Sequence, residues 1–102
     1  MSASKTKFIP DAFLTFETVS KELTRFNVLL KAESHAKIHL DLSEVTSCDS
    51  AGLAFLIEIK RQTESTGARI TIEHMPQTVS SMAAFCGIEH LLLGDETAYG
   101  ES

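Results

Sequence analysis

The chain has 102 residues, 43% of them hydrophobic, and a formal net charge of −5. That length fits one compact domain and excludes two, and the apolar content supports a modest core and excludes a disordered chain. The negative charge argues against general nucleic-acid binding and against anionic membrane surfaces, both of which would repel it.

Lys7 to Leu14 places Phe8, Ile9, Phe13 and Leu14 around Pro10 and Asp11. This is a short edge strand, since Pro10 argues against a central one. From Thr15 the period changes. Phe16, Val19, Leu23, Phe26 and Leu30 recur at spacings of three and four, predicting an amphipathic helix capped by Thr15 and ending near Ser34. Glu17, Lys21, Glu22 and Arg25 fall off its apolar face. Lys37 to Leu42 alternates and predicts a strand. Ser43 to Asp49 is a loop with one apolar plug, Val45, and a helix follows from about Ser50 to Thr66, stopped by Gly67. Arg69 to His74 alternates again as a strand. Pro76 then opens a helix whose buried side is Val79, Met82, Ala83, Phe85 and Cys86, ended by Gly87. Ile88 to Leu93 fits a last short strand or a packed segment. The alternation of strands and helices predicts an α/β domain with a mostly parallel small sheet and amphipathic helices, spanning residues 8–93, with loose termini at 1–7 and 94–102.

The helix from Ser50 does not have a single apolar face. At about 100° per residue, Phe55, Leu56 and Ile59 cluster on one side with Gly52, which would let the helix approach the sheet closely. Ser50, Leu53, Ala54 and Ile57 share the other side with Arg61. If exposed, Leu53 and Ile57 would contribute about 1.5–3 kcal/mol each on covering by a partner, before association costs. The alternative is that both flank the core under a neighbouring helix. The ridge reading expects Leu53→Asp to abolish partner binding with the fold intact. Ser50 follows Asp49 at the loop-to-helix junction, where free N–H groups and the helix dipole favour an anion. A phosphate there would add about −1.5 to −2 charges and weaken an apolar contact. The plainer reading of Ser50 is a helix cap.

"LDLSEVTSCDSAGLAFLIEIKR" resembles the core signature of the STAS domain: a strand ending Asp-Leu-Ser, then Asp-Ser-x-Gly-Leu opening a helix. "GARITIEHMPQTVSSMAAFCGIEHLL" is similar to the family's later strand, Pro-turn and helix. The resemblance covers residues 8–93 and implies a STAS-like single domain without catalytic activity or cofactor. It implies two kinds of function. One is that of MlaB-type accessory proteins, which bind the ATPase of a phospholipid-transport ABC complex at the inner membrane. The other is that of anti-sigma-factor antagonists, which bind an anti-sigma kinase and are phosphorylated on the hydroxyl residue after the Asp, here Ser50. "AFLTFETVSKEL" is closer to the MlaB-type pattern, with Ala12 where Gly is usual. The resemblance puts Ser50 at or near the contact surface; together with the ridge read from the helix directions, the expected partner surface is Ser50, Leu53, Ala54, Ile57 and Arg61, supported by Asp49 and Gly52.

Other chemistries find little in the sequence. His35, His39, His74 and His90 lack the spacing of a zinc site. There is no G-x-S-x-G elbow to make Ser50 a hydrolytic nucleophile, and no phosphate-binding glycine loop, so any ATP belongs to a partner. Cys48 and Cys86 form no C-x-x-C, which suits a reduced cytoplasmic setting. Asp49 would raise the Cys48 pKa, and Cys86 is expected in the core. The N-terminus has no apolar stretch of a leader, and the longest nearly apolar run, Gly52 to Ile57, is far short of a membrane span. The expected location is the cytoplasm, with peripheral attachment to the inner membrane only through the partner.

Overall fold

The structure is a computed structural model that describes residues 5–32 and 37–93. In chain order it runs β1 (Lys5–Phe8), β2 (Phe13–Leu14), α1 (Val19–Ala32), β3 (Lys37–Asp41), β4 (Ser47–Cys48), α2 (Ser50–Ser65), β5 (Arg69–Glu73), α3 (Gln77–Cys86) and α4 (Glu89–Leu93). β1, β3 and β5 form a parallel sheet in that order, and β2 and β4 form a separate parallel pair. The expected α/β class and parallel pairing are therefore present. β1 is an edge strand, as Pro10 suggested, but the predicted segment is split. Pro10 lies between β1 and β2, so the chain leaves β3 after Phe8 and pairs with β4 from Phe13.

In-register pairing sets the two faces of the sheet. Phe8, Leu40 and Ile72 form one row and Thr6, Ile38 and Ile70 the next. Phe8, Ile38 and Leu40 are buried, and Ile70 and Ile72 pack against the core. Two right-handed crossovers advancing in one direction place their helices side by side on one face, and α1 and α2 do pack together. The other face is polar. Lys7 approaches Asp41 (3.8 Å), His39 Nδ1 meets Glu73 Oε2 (2.6 Å), and His74 Nδ1 meets Asp41 Oδ1 (3.0 Å). His39 and His74 thus pair with carboxylates; His35 lies outside the described residues.

Asp41 also accepts the Ser43 N–H at 2.9 Å. Hydrogen bonds from Ser43, with a smaller contribution from His74, lower its pKa to about 2. Because the folded value lies below the unfolded one of about 3.9, this stabilisation is complete above the unfolded pKa and is lost as pH falls through the folded one. The denaturant midpoint is expected to hold at neutral pH and fall between about pH 4 and 2. Asp41→Asn should flatten that fall; an unchanged slope in urea titrations across this range would contradict it.

Several side chains depart from the helical periodicity. α1 begins at Val19, not Thr15, because Thr15 to Thr18 form a turn in which Thr18 and Val19 donate their N–H groups to the Thr15 carbonyl. Phe16 is consequently not on the buried face and is 70% exposed. Glu22, placed off the apolar face by its period, is buried. Its Oε1 accepts the Asp11 N–H and the Arg25 guanidinium, which in turn lies over the Phe8 ring. The carboxylate thereby ties α1 to the loop between β1 and β2. On α3 only Val79 and Ala83 are buried. Phe85 lies about 140° around the helix from them and is 92% exposed. Cys86, expected in the core, is exposed as the last helical residue before Gly87. Gly67 and Gly87 have positive φ, as their places as helix stops require. The segment left open between a strand and a packed piece is the helix α4. The expected helix end near Ser34 and the C-terminal segment 94–102 lie outside the described residues, while β1 begins within the expected N-terminal tail, at Lys5.

Candidate partner-binding site at the start of the second helix

β4 is only two residues long, but it fixes where α2 starts. Phe13 pairs with Ser47 and Leu14 with Cys48, and the Asp49 N–H continues the contact to the Leu14 carbonyl at 3.1 Å. Asp49 is extended and caps α2. Its Oδ1 accepts the Gly52 N–H at 3.0 Å and its Oδ2 accepts the Phe16 N–H at 3.2 Å. One carboxylate therefore satisfies a free N–H of the helix and pins the turn before α1. The Gly52 N–H, aided by that of Phe16, lowers the Asp49 pKa, while partial desolvation opposes the shift.

Gly52 is buried directly under β2. A Cβ there would lie 2.1 Å from the Leu14 carbonyl oxygen. The close approach expected of Gly52 is present, and the element it meets is the β2 backbone.

Ser50 is the first helical residue and is exposed. Capping is done by Asp49, and the Ser50 hydroxyl makes no hydrogen bond to the described residues. Ser50, Ala54, Ile57 and Arg61 project within about 60° of one another at 100° per residue. Ala54 and Arg61 are exposed and Ile57 is half-buried against the core. Arg61 is engaged within its own helix, donating to Glu58 through Nε (3.2 Å) and Nη2 (2.7 Å). Leu53 does not belong to this ridge. It is 3% exposed and part of the core, so the expectation of an exposed Leu53 is corrected. Its direction lies about 100° from the centre of the buried face formed by Gly52, Phe55, Leu56, Ile59 and Thr63, so its burial comes from packed neighbours at the edge of that face.

Cys48 is half-buried beside Asp49. Burial first, and the Asp49 charge second, push its thiol up to about 11. At pH 8 iodoacetamide should modify the exposed Cys86 well before Cys48, because the thiolate is the nucleophile. Peptide mass spectrometry of a time course would read this, and equal rates would contradict it.

Three aromatic rings escaped the sequence reading. Phe13 is 56% exposed, and Phe16 and Phe85 are more so. All three border Ser47 to Asp49: Phe13 by strand pairing, Phe16 through the Asp49 carboxylate, and Phe85 across a shallow groove it shares with Ser47 and Cys48. The usable signal was the Thr-x-x-Thr turn before α1, which takes Phe16 out of the helical period.

A parallel sheet carrying a helix whose capped start presents a hydroxyl and small side chains to solvent defines an α/β interaction domain. The family model described as the Mlab STAS domain matches residues 14–94, and the chain belongs to the STAS domain family. None of the curated proteins compared matches it. Membership makes protein partners the general expectation. No helix among the described residues is long and apolar enough to cross a membrane.

Proposed function

We propose that this chain is an MlaB-like accessory subunit that works in the cytoplasm. In this reading it binds the ATPase of an inner-membrane phospholipid-transport ABC complex. The contact is the start of α2, with Ser50, Ala54, Ile57 and Arg61 facing the partner and Asp49 and Gly52 holding the helix in place. The carrying observation is that the family match is to the Mlab type of STAS domain. The exposure of Ser50 and Ala54 supports the choice of surface. The chain supplies no chemistry of its own in this role, which is to support assembly or activity of the ATPase.

The test is isothermal titration of the full chain with the ABC ATPase encoded nearest to it. A complex is expected, and Ala54→Asp should weaken it at least about tenfold, the effect of placing an unmatched charge in a contact. Failure of the wild type to bind would refute the reading. The exposed Ser50 hydroxyl next to Asp49 also suits a phospho-switched anti-sigma-factor antagonist. That alternative requires phosphate on Ser50 after incubation with a switch kinase and ATP.

A further inference from the structure

The exposed aromatics are concentrated. Of six phenylalanines in the chain, Phe8, Phe26 and Phe55 are buried, and Phe13, Phe16 and Phe85 are exposed around β4 and its continuation at Asp49. Their presentation is not that of floppy ends. Phe13 sits in a paired strand and its carbonyl accepts the Thr18 hydroxyl at 2.5 Å. The Phe16 backbone is held by Asp49. Between β4 and α3 lies an open groove of about 620 Å³ lined by Cys48, Met82 and Phe85 among hydroxyls such as those of Ser47 and Thr78. Exposed aromatic residues on a fixed backbone around one short segment mark an interaction surface, because covering them loses little backbone freedom.

The segments that carry these rings are acidic. The segments 11–20, 43–55 and 75–89, which carry the three rings and the groove, contain Asp11, Glu17, Glu44, Asp49 and Glu89 and no lysine, arginine or histidine. Lys21 reaches in to Asp11 at 3.8 Å. Glu17 and Glu44 are exposed and have no ion pair among the described residues. Such a rim repels an anionic membrane and a second copy of itself, and it attracts cations flanking an apolar surface. β2 and β4, at two residues each, give too short an edge to template an added strand. A helix laying an apolar stripe over the rings and groove is the remaining mode.

We propose that Phe13, Phe16 and Phe85 form an acid-rimmed aromatic surface that docks a basic amphipathic helix of a partner protein. This surface adjoins the α2 ridge. It rests on the reading above for the partner's identity, and its test does not require that partner.

The probe is a 14-residue Leu/Lys amphipathic peptide, with a Leu/Glu peptide of the same pattern as its control, titrated by fluorescence anisotropy against the full chain. The Leu/Lys peptide should bind, and its affinity should fall as salt rises from about 0.05 to 0.5 M. Phe16→Ser combined with Phe85→Ser should weaken binding at least about tenfold. The same change at exposed Val28 on α1 should leave binding unaltered. Both Phe changes are at exposed sites, so circular dichroism should remain that of the wild type. Absence of Leu/Lys binding, equal binding of the two peptides, or full binding by the Phe variant overturns the proposal. So does a wild-type dimer in sedimentation that the Phe variant disperses, or binding confined to vesicles of anionic lipid. If the chain binds the Leu/Lys peptide but not the ATPase, the accessory-subunit reading falls and this surface stands. If Ala54→Asp abolishes ATPase binding while the Phe variant leaves both ATPase and peptide binding intact, the reverse holds.

Discussion

Gly52→Ala is expected to destabilise the protein by about 1–3 kcal/mol, against the sign that helix propensity gives. In an open helical position alanine would gain about 0.8–1.0 kcal/mol over glycine. Here the added methyl would lie 2.1 Å from the Leu14 carbonyl oxygen and 2.9 Å from the Leu14 carbonyl carbon. The obstacle is backbone, so no rotamer change relieves it. Relief requires α2 to move away from β2, which pulls on the Asp49 N–H to Leu14 bond and on the two bonds of the Asp49 carboxylate. The strain therefore falls on the same short segment that presents Ser50. Urea unfolding of wild type and variant measures the first effect, and hydrogen exchange at the Asp49 and Phe16 amides measures the second. A stabilised Gly52→Ala protein with unchanged exchange would show that α2 does not approach β2 this closely.

The main sheet was legible because its strands alternate. Ile38 and Leu40, and Ile70 and Ile72, lie in matching positions, and parallel registration follows once each crossover carries one helix. Gly52 was legible for a local reason: glycine on the buried side of a helix has few other uses. The reading of Ser50 as the cap is one residue late, because serine and aspartate are both favoured caps and only the Asp49 carboxylate reaches the Gly52 N–H. Periodicity failed where tertiary partners decide. Glu22 is buried because the Asp11 N–H and Arg25 reach it, and those contacts come from a loop eleven residues earlier and from the next turn of the helix. Phe16 continues the apolar period of α1 only if the helix starts at Thr15; the Thr18 hydroxyl competes, accepting the Thr15 N–H at 3.1 Å and holding those residues in a turn. β2 and β4 are too short to show any period. The proposed surface was thus half visible: its helical ridge, apart from the buried Leu53, could be read from spacing, whereas its aromatic side is assembled from three separate segments.

Leu53 and Ala54 are neighbours in sequence and opposites in consequence. Leu53→Asp would remove a buried aliphatic side chain and put a carboxylate in its place. Loss of the leucine alone costs about 2–5 kcal/mol, and an unpaired buried charge adds several more unless the site opens to water. Against a total stability of about 5–15 kcal/mol for a domain, most of the fold is at stake. The expected result is a protein unfolded, or nearly so, at 25 °C, with lost cooperativity in urea. Ala54→Asp, on the exposed side, should change stability by no more than about 0.5 kcal/mol. The comparison also decides how a loss of partner binding is to be interpreted. Binding lost by Leu53→Asp reports unfolding, whereas binding lost by Ala54→Asp with a wild-type melting curve reports contact. A Leu53→Asp protein that melted like the wild type would mean that Leu53 faces solvent, and it would return that residue to the docking ridge.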